Sequence, residues 1–450
     1  MLNKYQNIYF LGIGGVGMSG LAGWCHEKQY YVSGYDRSHN KFTERLKHMG
    51  IVIHHDSSIE KLPKDKLDNT TTLIVYTPAI KKNHELYTYF NENNFVIVKR
   101  AELLQEISLK YDVIAIAGTH GKTTISIMLS HILRNSGCSP TAFFGGISKN
   151  YDTNFLIGDG RFMIVEADEY DKSFLKLNPF ISVVTSMDKD HIDTYKSMND
   201  MYESYYQFYL NTHKDNARDK EMFFAPISVV EKLKDHLIKR IQLGYNASTL
   251  ETLDISVLDF SENKVFDNFM LTGMPQYNIR NALTAIRIAS AIGISQSNIA
   301  KSFDNYQGVK RRFEYCVNTE KLILIDDYAH HPQELDALIK SLRFLYPKRK
   351  LFLIFQPHLF SRTRDLENDF CRVLSLVDSL CLLDIYPARE EPIEGVESKL
   401  LLPKIDLENK WHADFNSLQI ILKQESPSLV VTAGAGDIYE LIPKIKKILL

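Results

Sequence analysis

The residues with the clearest chemical purpose are Gly118-Thr119-His120-Gly121-Lys122-Thr123-Thr124, which follow the buried run 113–117 and open a helix. In that setting backbone amides and a lysine surround the β- and γ-phosphates of a nucleotide, and the Thr123 hydroxyl can ligate Mg²⁺. Ile116 takes the place of the first glycine of the longer GxxxxGK[ST] form, leaving the compact GTxGKTT version. A second turn, Gly12-Ile13-Gly14-Gly15-Val16-Gly17, lies between a strand and a helix, with Asp36 nineteen residues after Gly17. Its glycines let the backbone approach a diphosphate at the helix N-terminus. The pattern alone suits NAD, a UDP-sugar, or a tight turn with no ligand.

Two acidic clusters follow strand-like runs. Glu166-Ala167-Asp168-Glu169 comes after 162–165, and Asp188-Lys189-Asp190-His191-Ile192-Asp193 soon after 181–184. Parallel strands carry their C-terminal ends on one edge, where the phosphate loop also sits and where ligands bind in open α/β sheets. Carboxylates and an imidazole there could hold Mg²⁺ beside the γ-phosphate, with Glu166 and His191 foremost. Farther on, Asp326-Asp327-Tyr328-Ala329-His330-His331-Pro332 ends one strand, and Gln356-Pro357-His358-Leu359-Phe360-Ser361-Arg362-Thr363-Arg364 ends another. Two histidines in a loop are by themselves more often a surface feature. Polar and cationic groups on two strand ends of one edge make a cleft for a carboxylate or phosphate.

Parallel strands are needed to carry these residues, and short apolar runs alternate with helical stretches along the whole chain, the pattern of an α/β protein. Strands at 8–11, 31–35 and 73–76, with helices over about 16–28 and 100–110, form a first unit. Strands at 113–117, 162–165 and 181–184 and an alanine-rich helix over 281–291 form a second, and strands at 322–325, 351–355, 379–383 and 429–432 a third. Boundaries near 110 and 313 give domains 1–109, 110–312 and 313–450. The stretch 211–261 is the least readable, and no short-period repeat is present.

Composition agrees with this picture. A chain of 450 residues suggests about three domains. With 44% hydrophobic and 24% charged residues it has ordinary globular usage, which speaks against disorder. A net charge of −2 lacks the footprint of a protein that grips nucleic acid along its backbone. Five cysteines without CxxC spacing indicate neither a disulfide framework nor a cysteine zinc site. No signal peptide is expected, and no apolar run approaches the roughly 18 residues needed to span a bilayer. The expectation is a cytoplasmic protein without membrane insertion.

Taken in order, GxGGxGMS, GTHGKTT, EADExDxSFL, VTxxDxDHxDTY, NxxNAL, GVxRRFE, DDYAHHP and FQPHxxSRTRDL resemble the motifs of the Mur ligases. Within that family the pattern is most similar to the branch that adds alanine. The likeness runs from about Tyr9 to Gly436 and thins between about Asn211 and Met270. It implies three domains: a Rossmann-like UDP-binding domain, a central P-loop ATPase-like domain and a C-terminal Rossmann-like domain for the amino acid. It also implies transfer of the γ-phosphate of ATP to the lactyl carboxylate of UDP-N-acetylmuramate, followed by attack of L-alanine on the acyl phosphate. That is a step of peptidoglycan precursor synthesis and so of cell wall, shape and division. ATP and Mg²⁺ are the implied cofactors, and a monomer or homodimer the implied assembly.

By the same resemblance Lys122, Glu166 and His191 are catalytic, and Thr123, Glu166 and His191 hold the metal. Gly118, Thr119, His120, Gly121, Lys122, Thr123 and Thr124 bind ATP together with Asn281, and Arg312 and Asp327 reach back to the nucleotide. Gly12, Gly14, Gly15, Gly17, Asp36, Thr77 and His120 bind the UDP-sugar, and Tyr328, His330 and Arg362 line the alanine pocket. Three positions depart from the pattern: Ser186 stands in place of Asn, Tyr277 in place of His, and Leu359 in place of Arg. The nearest rival is the ligase that recycles a preformed tripeptide onto the same UDP-sugar. An NAD-dependent oxidoreductase leaves the phosphate loop and third unit unexplained. A noncatalytic nucleotide-binding module needs neither the metal ligands nor the carboxylate cleft.

Overall fold

The structure is a computed structural model that describes residues 2–188, 195, 197–212, 222–242, 255–258, 274–388 and 390–450. It packs as two compact units, one made of Met1–Met270 and Arg280–Gln307, the other of Leu271–Ile279 and Gly308–Leu450.

The first unit holds two sheets. Strands β1 (Asn7–Leu11), β2 (Tyr31–Tyr35), β3 (Val52–His54), β4 (Thr72–Tyr76) and β5 (Val96–Lys99) form a parallel sheet in the order β3-β2-β1-β4-β5. Ile8, Tyr9, Phe10 and Leu11 are fully buried, as a central strand covered on both faces requires. The chain builds outward from β1 in one direction and then returns to build in the other, which opens a crevice beyond the end of β1. Residues Gly12 to Gly17 occupy that crevice.

The second sheet contains β6 (Asp112–Ala117), β7 (Thr141–Ser148), β8 (Thr153–Leu156), β9 (Phe162–Glu166), β10 (Ile181–Val184), β11 (Met222–Pro226) and β12 (Ile255–Leu258). Its order is β12-β11-β10-β6-β9-β7-β8, parallel except for β8 against β7. The direction of building reverses at β6, so the phosphate loop leaves the sheet between the ends of β9 and β10. That is why Glu166 and Asp188 flank it.

Helix Val16–Glu27, which begins in the first glycine turn, packs on the β7–β8 hairpin of the second sheet. Its glycines make this possible. A Cβ on Gly20 would lie 3.3 Å from Phe143, and one on Gly23 would press into the Phe155 ring, 2.6 Å from Cε1. Asn154 Nδ2 then donates to the Val16 carbonyl at 2.7 Å and to Ser19 Oγ at 3.0 Å. The two glycine turns are thus fixed within one body.

The second unit is a six-stranded sheet of β13 (Glu314–Asn318), β14 (Ile323–Asp327), β15 (Leu351–Phe355), β16 (Ser379–Leu382), β17 (Lys410–His412) and β18 (Leu429–Ala433). The order is β13-β14-β18-β15-β16-β17, with only β13 antiparallel to its neighbour. Alternation along the strands sorts side chains into two cores. Ile323, Ile325, Leu353 and Val431 enter one, and Leu324, Phe352, Ile354 and Val430 the other.

The strands expected from apolar runs are present to within a residue or two. Glu166 is the last residue of β9 and Lys122 the first of helix Lys122–Asn135, so both are held by regular structure and not by loops. The helix expected over 281–291 starts earlier, at Gln276. Within 211–261 the described residues include β11, β12 and helix Ile227–Gln242. No helix among the described residues is long and apolar enough to cross a membrane.

Candidate active site

The phosphate loop is built on two left-handed glycines, Gly118 (φ +109°) and Gly121 (φ +85°), the second of which caps helix Lys122–Asn135. A side chain at 118 would collide with Thr185, and one at 121 with Asn281 Oδ1 at 2.5 Å, so glycine is required at both by φ and by space. Asn281 is thereby placed against the loop. The loop is pinned to the segment after β10: the Thr119 N–H donates to the Ser186 carbonyl at 3.1 Å, and the His120 N–H to Ser186 Oγ at 3.2 Å. The serine at 186 therefore serves the loop directly. His120 Nε2 lies 3.7 Å from Asp188 Oδ2.

Lys122 Nζ donates to the Gly118 carbonyl at 2.7 Å and to Glu169 Oε1 at 3.0 Å. Burial alone would lower its ammonium, but Glu169, Glu166 and Asp168 outweigh burial and hold it above the ordinary lysine value. The Thr123 hydroxyl donates to Glu166 Oε1 at 3.0 Å, and the Gly145 N–H to Glu166 Oε2 at 2.6 Å. Burial pushes the Glu166 carboxyl up, against the pull of Lys122 and these two hydrogen bonds. A Cβ on Gly145 would sit 2.6 Å from both carboxylate oxygens, so the glycine in the middle of β7 exists to admit Glu166. Thr123 and Glu166 are the described part of the expected metal site. His191 lies outside the described residues, and no group of three or more metal-ligating side chains is present among the described ones.

Around the first glycine turn, Gly12 (φ +85°) packs beneath Thr77, whose Cγ2 would lie 2.6 Å from a Cβ there. Asp36 Oδ2 accepts the Gly14 N–H at 2.7 Å, and Asn40 Nδ2 donates to the Gly14 carbonyl at 3.3 Å while its oxygen caps helix Lys41–His48. Asp36 thus shapes the turn itself. At Gly17 the neighbour is Arg100, with Nη1 2.6 Å from where a Cβ would be.

In the second unit the adjacent arginines divide their work. Arg311, left-handed at φ +63°, is buried and pairs with Asp326 (3.2 Å), the Gly436 carbonyl (2.9 Å) and the Gly434 carbonyl. Arg312 lies over the Tyr328 ring, 4.9 Å from its centroid. Asp327 accepts the Phe313 N–H at 2.6 Å and the Ala329 N–H at 2.8 Å. Burial raises its carboxyl to about 6 despite the pull of Arg312. Tyr277 packs on the adjoining core, its phenol pushed up by burial and by the Asp327 charge. His330 Nδ1 lies 2.9 Å from the Tyr328 carbonyl and 3.2 Å from Glu334 Oε2, and its ring meets Tyr328 and His358. His331 instead caps helix Pro332–Leu345. Leu359, at φ +72°, starts helix Phe360–Asp365, which carries Arg362.

The expected residues therefore gather in three groups: the first glycine turn with Asp36 and Thr77, the phosphate loop with Glu166 and Asn281, and Arg312, Asp327, Tyr328 and His330. Sequence reasoning missed Gly145 and Arg100 and read Glu169 only as part of an acidic cluster. Gly-Gly inside an apolar run was the available signal for Gly145.

Three family profiles match the chain in succession: the Mur ligase family catalytic domain over 7–112, the Mur ligase middle domain over 116–289, and the Mur ligase glutamate ligase domain over 311–436. A UDP-N-acetylmuramate–L-alanine ligase of Flavobacterium psychrophilum is 42% identical, over 99% of this chain and 98% of its own. One of Christiangramia forsetii is 40% identical over 100% and 99%. Among solved structures, a UDP-N-acetylmuramate–alanine ligase of Thermotoga maritima has a TM-score of 0.75 at 20% identity, covering 98% of both chains. A murein peptide ligase of Psychrobacter arcticus has a TM-score of 0.65 at 19% identity, over 99% of this chain and 98% of that one. At those identities the two structures speak to the fold alone.

Proposed function

The chain belongs to the Mur ligase family, and from that membership we propose that it joins L-alanine to UDP-N-acetylmuramate with the use of ATP, giving UDP-N-acetylmuramoyl-L-alanine, ADP and phosphate. The observation that carries this reading is the end-to-end match, at about 40% identity, to UDP-N-acetylmuramate–L-alanine ligases.

A carboxylate is a poor electrophile, and phosphorylation supplies the leaving group it lacks. The lactyl carboxylate attacks the γ-phosphorus and ADP departs. The neutral amine of alanine then attacks the carbonyl carbon of the acyl phosphate, and phosphate leaves as the nitrogen loses its proton. Lys122 and the amides at the start of its helix hold the transferring phosphate and oppose its charge. Thr123 and Glu166 present hard oxygen donors close together beside Lys122, a set that fits Mg²⁺, with His191 as the further ligand. The metal, when bound, supplies charge neutralisation at the phosphate oxygens. The first glycine turn takes the diphosphate of the sugar nucleotide. Arg362 is the carboxylate anchor for alanine, since a guanidinium offers a bidentate match, with Tyr328 and His330 around the methyl. The reaction is placed in the cytoplasm, where ATP is supplied.

Phosphate release measured with ATP, Mg²⁺ and UDP-N-acetylmuramate should depend on L-alanine. Release with the murein tripeptide and none with alanine would replace this reading by the recycling one. Thermal stabilisation by NAD and none by the UDP-sugar would overturn it altogether.

A further inference from the structure

Arg100 is the first residue of helix Arg100–Ser108 and follows directly on β5, at the strand-end edge of the first sheet. β5 lies two strands from β1 in that sheet, and the Arg100 side chain must reach back along the sheet edge to meet the first glycine turn. It does so here. Its Nη1 lies over Gly17, in the first turn of helix Val16–Glu27. Its Nη2 faces Asp168 Oδ2 at 3.7 Å, a separation too long for a hydrogen bond. The adjoining Lys99 makes the tighter pair of the two, Nζ to Asp171 Oδ2 at 2.7 Å. Lys99 therefore braces the two sheets, and the Arg100 guanidinium is held only loosely by its own acid.

We propose that Arg100 is a binding residue for the sugar nucleotide, its guanidinium holding the diphosphate at the first glycine turn. This rests on the ligase reading above. Three features support it. The last glycine of the turn has its missing side chain filled by the guanidinium, so the turn and the cation share one space. A guanidinium offers two parallel donors to a phosphate, which helix amides alone do not. Asp168 follows β9 two residues after Glu166, so a guanidinium drawn toward the diphosphate relaxes its grip on the segment that carries the metal ligand.

Calorimetric titration with UDP and with UDP-N-acetylmuramate tests this, alongside thermal-shift titration with a nonhydrolysable ATP analogue. Arg100→Ala should weaken both uridine ligands about 10- to 100-fold, the worth of a charge-assisted contact, and leave the ATP analogue unchanged. Arg100→Lys should recover only part of the loss. Gly17→Ala should copy the effect with little loss of stability, because its methyl meets only the far end of a flexible side chain. Asp168→Asn should leave uridine affinity equal or tighter. Equal weakening by Arg100→Ala and Asp168→Asn would show that Arg100 is only a brace and overturn the proposal, as would unchanged affinity in Arg100→Lys and Arg100→Ala. Wild-type protein that fails to bind UDP-N-acetylmuramate would instead sink the ligase reading.

Discussion

Glu166→Gln replaces one oxygen of a buried carboxylate by an NH₂ group of the same size, so it separates the charge of the side chain from its shape. Both hydrogen bonds have a replacement. The amide oxygen can accept the Gly145 N–H, and the amide nitrogen can donate to Thr123 Oγ1. Losing charge assistance costs about 1–1.5 kcal/mol per bond. Against this stands the desolvation of a buried carboxylate, several kcal/mol. The direction of the balance follows from titration. The Glu166 carboxyl is held above its ordinary value, so its surroundings together oppose the charge. A group with a raised folded pKa gives stability that is full at low pH and lost as pH rises through that pKa. Where the side chain is ionised it is therefore a net burden, and the glutamine variant should be at least as stable as the wild type. Its ligase activity should fall by about 10²–10³ or more, the scale of a lost electrostatic stabiliser. Urea unfolding followed by circular dichroism and phosphate release over an Mg²⁺ titration are the two measurements. A stability loss above about 1 kcal/mol, or activity within about tenfold of wild type, would refute the reasoning.

Gly23→Ala should lower stability by about 1–2 kcal/mol in urea unfolding, since the pressure on Phe155 outweighs a helix-propensity gain of about 0.5–1 kcal/mol. Adding Phe155→Leu should restore much of it, and a stabilised single variant would contradict the packing. Asp327 should titrate near 6 by carbon-13 NMR, and its contribution should be full below its ordinary 3.8 and lost as pH rises through about 6. At roughly 1.4 kcal/mol per pH unit that amounts to about 3 kcal/mol. An Asp327 midpoint near 4 would contradict it. Leu359→Gly should raise thermal stability by about 1 kcal/mol through relief of a left-handed backbone, and a lower melting temperature would show that the leucine side chain matters more.

The strands that carry chemistry were legible because they are central and buried on both faces. Val113 to Ala117 and Leu351 to Phe355 are unbroken apolar runs that only a covered strand tolerates. The edges were not. Val52 and Val96 are 48% and 43% exposed, and their strands carry no periodicity strong enough to stand apart from loops. β7 was hidden by Gly145-Gly146, which read locally as a turn and have meaning only once Glu166 arrives from a distant strand. Arg100 was hidden for a similar reason: on the chain it is an ordinary helix-starting cation, and its partner Gly17 is eighty-three residues away. Phosphate loops survive in sequence because their residues are contiguous. Side chains that reach across a sheet leave no such trace.

The pairing of Lys122 with Glu169 changes what the phosphate loop can discriminate. The ammonium already has an anion of its own, 2% exposed and 3.0 Å away. Any ligand must compete with that internal rival. A chloride or a single orthophosphate, attracted by charge alone, gains little over the carboxylate it displaces. A polyphosphate meets the loop amides and the lysine at once, and only such a ligand wins the exchange by a wide margin. On the ligase reading, the carboxylate would therefore set a threshold against abundant small anions at a site whose backbone amides would otherwise welcome them.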